Sequence, residues 1–195
     1  MRFAVLALLT LCLPIFAQPK DKPTYYYTTK VGDTVVREVT ANGKTTDKSS
    51  TVDSVEEKDG VLTVVVKPTG KPGAPAIETM LVSKTELTLP PQGPIDVPIT
   101  FLKLPAKKGD TWESMKTSKG AGGVIFKSAC MGEEEVEVPA GKFKAIKVET
   151  AVMTPTEEYS RMTMWHAPGV GLVKLMTKSG GRETSSVLKS FTPGK

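Results

Sequence analysis

The chain has 195 residues, 39% hydrophobic and 24% charged, with a net charge of +5 at pH 7. That length fits a single domain. The interspersed charge lacks the basic stripe with aromatics that a nucleic-acid surface requires. Two cysteines and one histidine leave little material for disulfide or metal chemistry.

The first seventeen residues read as a processing segment. Met1-Arg2 supplies a positive start, Phe3 to Leu13 is apolar apart from Thr10, Pro14 breaks the run, and Ala17 offers a small residue at the cleavage edge. That is the pattern of a secretory signal peptide, too short to span a bilayer. Cys12 raises lipidation as an alternative, but a small residue should precede a lipid-modified cysteine and Leu11 is bulky. The sequence therefore predicts an exported protein, periplasmic or extracellular, and argues against a lipoprotein. No later run approaches the ~18 apolar residues of a transmembrane helix. The expected division is residues 1–17 as signal peptide, 18–24 as a flexible polar leader and 25–195 as one β domain. Only Cys130 remains after cleavage, in an apolar strand-like run, and is expected to be buried and inert.

From Tyr25-Tyr26-Tyr27 onward the chain favours strand. Thr34 to Ala41 alternates, with Val35, Arg37 and Val39 on one face. Asn42-Gly43 and Asp59-Gly60 are hairpin signals, because both positions tolerate the positive φ of a type I′ turn. Between them Lys44–Lys58 is a long polar strand, and Val61–Lys67 is apolar on both faces, as in a central strand. Pro68–Pro75 is loop. Ile77–Leu89 reads either as two strands turning near Ser83-Lys84 or as a short helix and a strand. A second proline-rich connection, Leu89–Pro94, leads to the short apolar run Ile99–Leu104.

Lys108-Gly109-Asp110-Thr111-Trp112 then echoes Val31-Gly32-Asp33-Thr34-Val35, which raises the prospect of two structural halves. After Trp112–Thr117 and Val124–Met131, the stretch Glu133–Lys178 has the densest strand pattern. Lys142 and Lys144 share one parity and Lys147 and Glu149 the other, so the polar face switches near Ala145, and a β-bulge is expected there. Ala167-Pro168-Gly169-Val170 fits a type II turn. Leu172–Lys178 runs back, Ser179–Arg182 turns again, and Glu183–Phe191 closes the chain. Strands recurring between turn signals predict an all-β fold with at most one or two short helices. The architecture expected is a single curled antiparallel sheet or open barrel, mostly a meander.

Val138 to Glu149 (V-P-A-G-K-F-K-A-I-K-V-E) and Trp165 to Lys174 (W-H-A-P-G-V-G-L-V-K) resemble a family of exported bacterial proteins of unknown function. The family's marks are a Val-Pro-Ala-Gly-x-Phe turn and a Trp-x-Ala-x-Gly-Val-Gly-Leu-Val-Lys strand pair. Leu104–Trp112 is similar to the family's lead-in to its second half. Here His166 follows the tryptophan where the family commonly has tyrosine. The resemblance implies a curled β-sheet domain broadly similar to the half-barrels of lipoprotein carriers, and it supplies no catalytic residue.

No catalytic set emerges from the residues either. His166 has no serine elbow with it, and beside Trp165 it reads as a half-exposed packing residue. Glu133, Glu134 and Glu135 alternate faces and cannot converge on one ion without a bulge, so they read as a solvated edge or turn. Gly120–Gly123 with Lys127-Ser128 lacks the second glycine of a phosphate loop. The expectation is no catalytic residue, no metal and no cofactor. Binding in a concave sheet remains, with Val64, Val66, Ile146, Val148, Met162, Met164, Trp165 and Val173 as candidate lining. The partner expected is a lipid, another amphipathic ligand or an envelope protein, with no nucleic acid. The alternatives are a structural or assembly protein with a filled core and, less favoured, an envelope-polymer hydrolase using His166 or a carboxylate.

Overall fold

The computed structural model describes residues 25–71, 73–91, 97–118 and 121–195. Signal-peptide and leader expectations, and Cys12, lie outside these residues. Among them there is no helix. The strands are β1 (Thr34–Ala41), β2 (Lys44–Lys58), β3 (Val61–Pro68), β4 (Glu78–Val82), β5 (Glu86–Leu89), β6 (Ile99–Lys103), β7 (Thr111–Ser118), β8 (Ala121–Val138), β9 (Gly141–Met153), β10 (Glu158–Ala167), β11 (Gly171–Ser179) and β12 (Arg182–Thr192). All pair antiparallel in one sheet, in the order β6-β5-β4-β3-β2-β1-β12-β11-β10-β9-β8-β7. The sheet nearly closes into a barrel, as the recurring strands imply. Ile77–Leu89 is a strand pair, with Ser83 Oγ accepting from the Thr85 and Glu86 amides in the turn, and not a helix. Tyr25–Tyr27 is not strand: this segment precedes the sheet and packs on it.

The hairpins follow from local chemistry. Asn42 and Gly43 lie at φ 51° and 73°, and Asp59 and Gly60 at 53° and 77°, so each pair supplies the left-handed conformation that a two-residue turn needs to match strand twist. Strand order makes the sheet two six-strand meanders, β1–β6 and β7–β12, joined through β1 and β12. Both open on the same turn. Gly32 N–H donates to Val52 O and Val52 N–H to Asp33 O, both at 2.9 Å; Gly109 N–H donates to Cys130 O and Cys130 N–H to Asp110 O, both at 2.8 Å. Lys30 N–H donates to Asp33 Oδ2, and Lys107 N–H to Asp110 Oδ2. The pairing slips by one residue just after Val52 in β2 and just after Cys130 in β8. The Gly-Asp echo is thus a repeated piece of structure.

The bulge is not at Ala145. Lys142 to Lys147 pair continuously with Glu137 to Gly132, and the slip lies across the ladder at Met131. Parity along β9 does not change; the surroundings do. Phe143 and Ala145 pack in a second apolar cluster, whereas Lys147 and Glu149 on the same face meet solvent. On the other face Lys142 and Lys144 are exposed beside Glu135 and Glu133, while Ile146 and Val148 enter the main core.

That main core joins Val52, Leu62, Val64, Val66, Met80, Val82, Leu102, Ile146, Val148 and Met164, with Val64, Leu102 and Val148 at zero exposure. Cys130, 1% exposed, is part of it. The second cluster gathers Val35, Val136, Val138, Ala145, Trp165, Ala167, Val173 and Leu188. The β8–β9 turn reaches β12, where the Ala140 amide donates to Leu188 O. The two sheet edges, β6 and β7, meet through side chains. Trp112 Nε1 donates to Thr100 O at 2.8 Å, and the Thr100 amide donates to Ser114 Oγ at 3.2 Å.

Candidate functional site

Most buried positions on the strands are apolar, and three polar side chains on the strands, Arg37, Glu78 and His166, interrupt that pattern and are joined by Tyr27 from the segment before β1. Strand alternation puts His166 on the face of Met164 and puts Glu78, paired with Val66, on the face of the main core. Arg37 of β1 donates to the carbonyl of Leu172. Leu172 is the residue opposite His166 in the β10–β11 ladder, so the guanidinium is brought beside the imidazole. Tyr27 completes the group: its hydroxyl donates to Glu78 Oε1 at 2.7 Å.

The segment carrying Tyr27 lies against the β10–β11 turn. Gly169 N–H donates to Tyr25 O at 2.7 Å. Gly171, at φ +87°, lets the chain pass close to Tyr27, whose Cα and Cδ2 would lie 3.3 Å from a Cβ at that position. Thr28 beside it is 4% exposed, and its hydroxyl has no hydrogen-bond partner among the described residues.

His166 is 2% exposed, and neither ring nitrogen has a hydrogen-bond partner among the described residues. It is a buried polar residue, not the half-exposed packing residue expected. Burial, and then the Arg37 charge, push its pKa down to about 3, so the ring is neutral near pH 7, with one nitrogen a donor and the other an acceptor. Burial also lowers the pKa of Arg37, opposed by Glu78 and Tyr27. Tyr27 is held well above the usual phenol value by burial first and then by the Glu78 carboxylate. Glu78 accepts from Tyr27 and makes no contact ion pair with Arg37 among the described residues. The guanidinium therefore keeps donors available, beside an imidazole with an unmet donor and acceptor. Among the described residues neither a serine nor a carboxylate hydrogen-bonds to His166.

The eight residues expected to line a cavity divide. Val64, Val66, Ile146, Val148 and Met164 share the main core. Trp165 and Val173 are in the second cluster, and Met162 is half-buried and in neither. Trp165 is held between Lys147 and Lys174, at 5.4 and 5.0 Å from its ring centre, and its indole donates to Glu134 Oε1 at 2.6 Å. A surface cleft of about 640 Å³, lined by Tyr25, Glu57, Asp59, Val61, Lys84 and Glu86 among others, contains none of the eight.

Arg37, Glu78, Tyr27 and Thr28 were not expected at a site, although a signal for two of them was present. Arg37 is the one charge on a face with Val35 and Val39, and Glu78 the one charge on a face with Met80 and Val82.

A family model described as DUF3108-like matches residues 79–186. A crystal structure described as a candidate lipoprotein of Parabacteroides distasonis is similar, with TM-score 0.55 and 18% identity over 88% of this chain and 100% of that one. So is a candidate exported protein of Bacteroides fragilis described as having a YmcC-like fold, with TM-score 0.55 and 15% identity over 87% and 100%. At these identities the likeness is one of fold. No curated protein matches the chain. One expectation is corrected: the case against a lipoprotein does not stand, because a protein of this fold is itself described as a candidate lipoprotein. A bulky Leu11 before Cys12 is too little to rank the alternatives.

Proposed function

The chain belongs to the DUF3108-like family, and from that premise we propose that it is a non-enzymatic exported β-domain of the cell envelope that binds an amphipathic ligand. The observation carrying this reading is the amphipathic interior. An apolar core of Val64, Val66, Ile146, Val148 and Met164 adjoins one polar group, Arg37 with His166, Glu78 and Tyr27. An acyl chain needs the first and its head group the second. The descriptions of similar folds as a candidate lipoprotein and a candidate exported protein support the place. Native mass spectrometry of protein purified from its own host tests the reading. The expected result is an added mass that solvent extraction removes; a bare polypeptide with no extractable lipid overturns it.

A second reading, a structural or assembly protein with a filled core, draws on the zero exposure of Val64, Leu102 and Val148. It predicts the bare mass, so the same measurement separates the two.

A further inference from the structure

We propose that Arg37, His166, Tyr27 and Thr28 form the receptor for an anionic head group, a carboxylate or a phosphate, with Arg37 as counter-charge and His166 as hydrogen-bond donor. This rests on the ligand-binding reading above and names the chemistry of the ligand's polar end.

Three placements lead to it. The Arg37 guanidinium reaches Leu172 O, directly across the ladder from His166. Guanidinium offers five donors in a planar fork that matches carboxylate and phosphate oxygens, and the Leu172 bond uses one. The nearby carboxylate, Glu78, accepts from the Tyr27 hydroxyl instead of pairing with Arg37. Among the described residues three buried polar atoms have no hydrogen-bond partner: both nitrogens of His166, and Oγ1 of Thr28, the residue that follows Tyr27. Such atoms are rare in native interiors, because a buried donor or acceptor without a partner has lost its bonds to water with nothing in exchange, and the two on His166 lie beside the Arg37 charge. A cationic ligand would be repelled by Arg37. An anion meets that charge, the imidazole N–H and a hydroxyl, and is opposed by Glu78 alone among the groups of the cluster. The Tyr25–Thr28 segment forms one wall of the site, held there by its contacts at Gly169, Gly171 and Glu78.

The chain has a single histidine, so ¹⁵N-histidine labelling of the mature protein reports this site alone. Decanoate, decyl phosphate, acetate and inorganic phosphate are titrated in turn. An acyl anion is expected to move the imidazole resonances. Arg37→Gln should weaken the midpoint about tenfold or more, the scale of one charge-assisted contact, and Glu78→Gln should tighten it. Arg37→Lys, which keeps the charge but loses the fork, should fall between. Decanoate bound by mass with the imidazole unmoved would overturn the receptor and leave the ligand reading standing. Inorganic phosphate moving the imidazole as readily as decyl phosphate would keep the receptor and count against the amphipathic reading. Silence to all four anions overturns the receptor.

Discussion

The indole of Trp112 donates to the carbonyl of Thr100 at 2.8 Å, and with Ser114 Oγ on the Thr100 amide it stands in for a ladder between β6 and β7. Trp112→Phe keeps the ring buried but strands that carbonyl. The expected loss is about 1–3 kcal/mol, read as a lower urea midpoint with unchanged slope. Ser114→Ala leaves the Thr100 amide without its acceptor, so it should also lower the midpoint, by about 1 kcal/mol at a part-buried site, and speed hydrogen exchange at that amide.

His166 makes folding sensitive to acid. Its folded pKa, about 3, lies below the unfolded value of about 6.5, so below that value the unfolded chain takes up a proton that the folded chain refuses. Stability is complete above about pH 6.5 and falls as pH drops toward 3, by about 1.4 kcal/mol per pH unit for one proton. Urea unfolding between pH 7 and 4 should show this slope, and His166→Gln should remove it. Parallel losses in both proteins would mean that His166 is not the group responsible.

Tyr27 acts at the opposite limit. Its folded pKa is raised well above 10, so the unfolded phenol ionises first and stability should fall as pH rises through 10. Tyr27→Phe should flatten that alkaline limb while losing the hydrogen bond to Glu78.

Gly171→Ala is expected to loosen the Tyr25–Thr28 segment. A Cβ there would meet the Tyr27 backbone at 3.3 Å, on a residue at φ +87° where an L side chain is strained. The cost should exceed about 1 kcal/mol. Faster proteolysis at Tyr25–Thr28, with protection retained in β3 and β9, would locate the effect.

The duplicated turns differ in what they hold, which allows a paired test. Asp33 is 3% exposed and accepts both the Lys30 amide at 3.0 Å and the Gly194 amide at 2.8 Å. Asp110 is exposed and accepts the Lys107 amide. Asp33→Ala should cost about 2–4 kcal/mol and Asp110→Ala about 1 kcal/mol, compared by thermal unfolding.

Turns were the most legible part of the sequence, because a positive φ restricts which residues can stand there; Asn42-Gly43 and Asp59-Gly60 advertise their hairpins. Alternation showed which faces were apolar but not what would cover them. That is why Lys142 and Lys144 suggested a bulge near Ala145 when the β8–β9 hairpin instead carries Phe143 and Ala145 into a second cluster. The polar group escaped notice for a related reason. Arg37, Glu78 and His166 are far apart in sequence, and each alone looks like an ordinary interruption of an apolar face. The register that sets Leu172 against His166, the Arg37 bond to Leu172 O and the Tyr27 bond to Glu78 bring them together. The Trp112–Thr100 bond had no sequence signal, since edge strands joined by side chains impose no periodicity.

Gly194 bonded to Asp33, together with the β1–β12 ladder, means that the sheet is fully zipped between its first and last strands. It is thinly zipped between β6 and β7, where the backbone runs on without interruption. Hydrogen bonding closes the ring where the chain is cut, and the chain closes it where hydrogen bonding is sparse. A circular permutant that joins β12 to the Tyr25 segment and begins at Lys108 would remove the covalent bridge from the weak seam. Two raw strand edges would then face solvent, so that form, and not the native order, is the one expected to pair with its own copies.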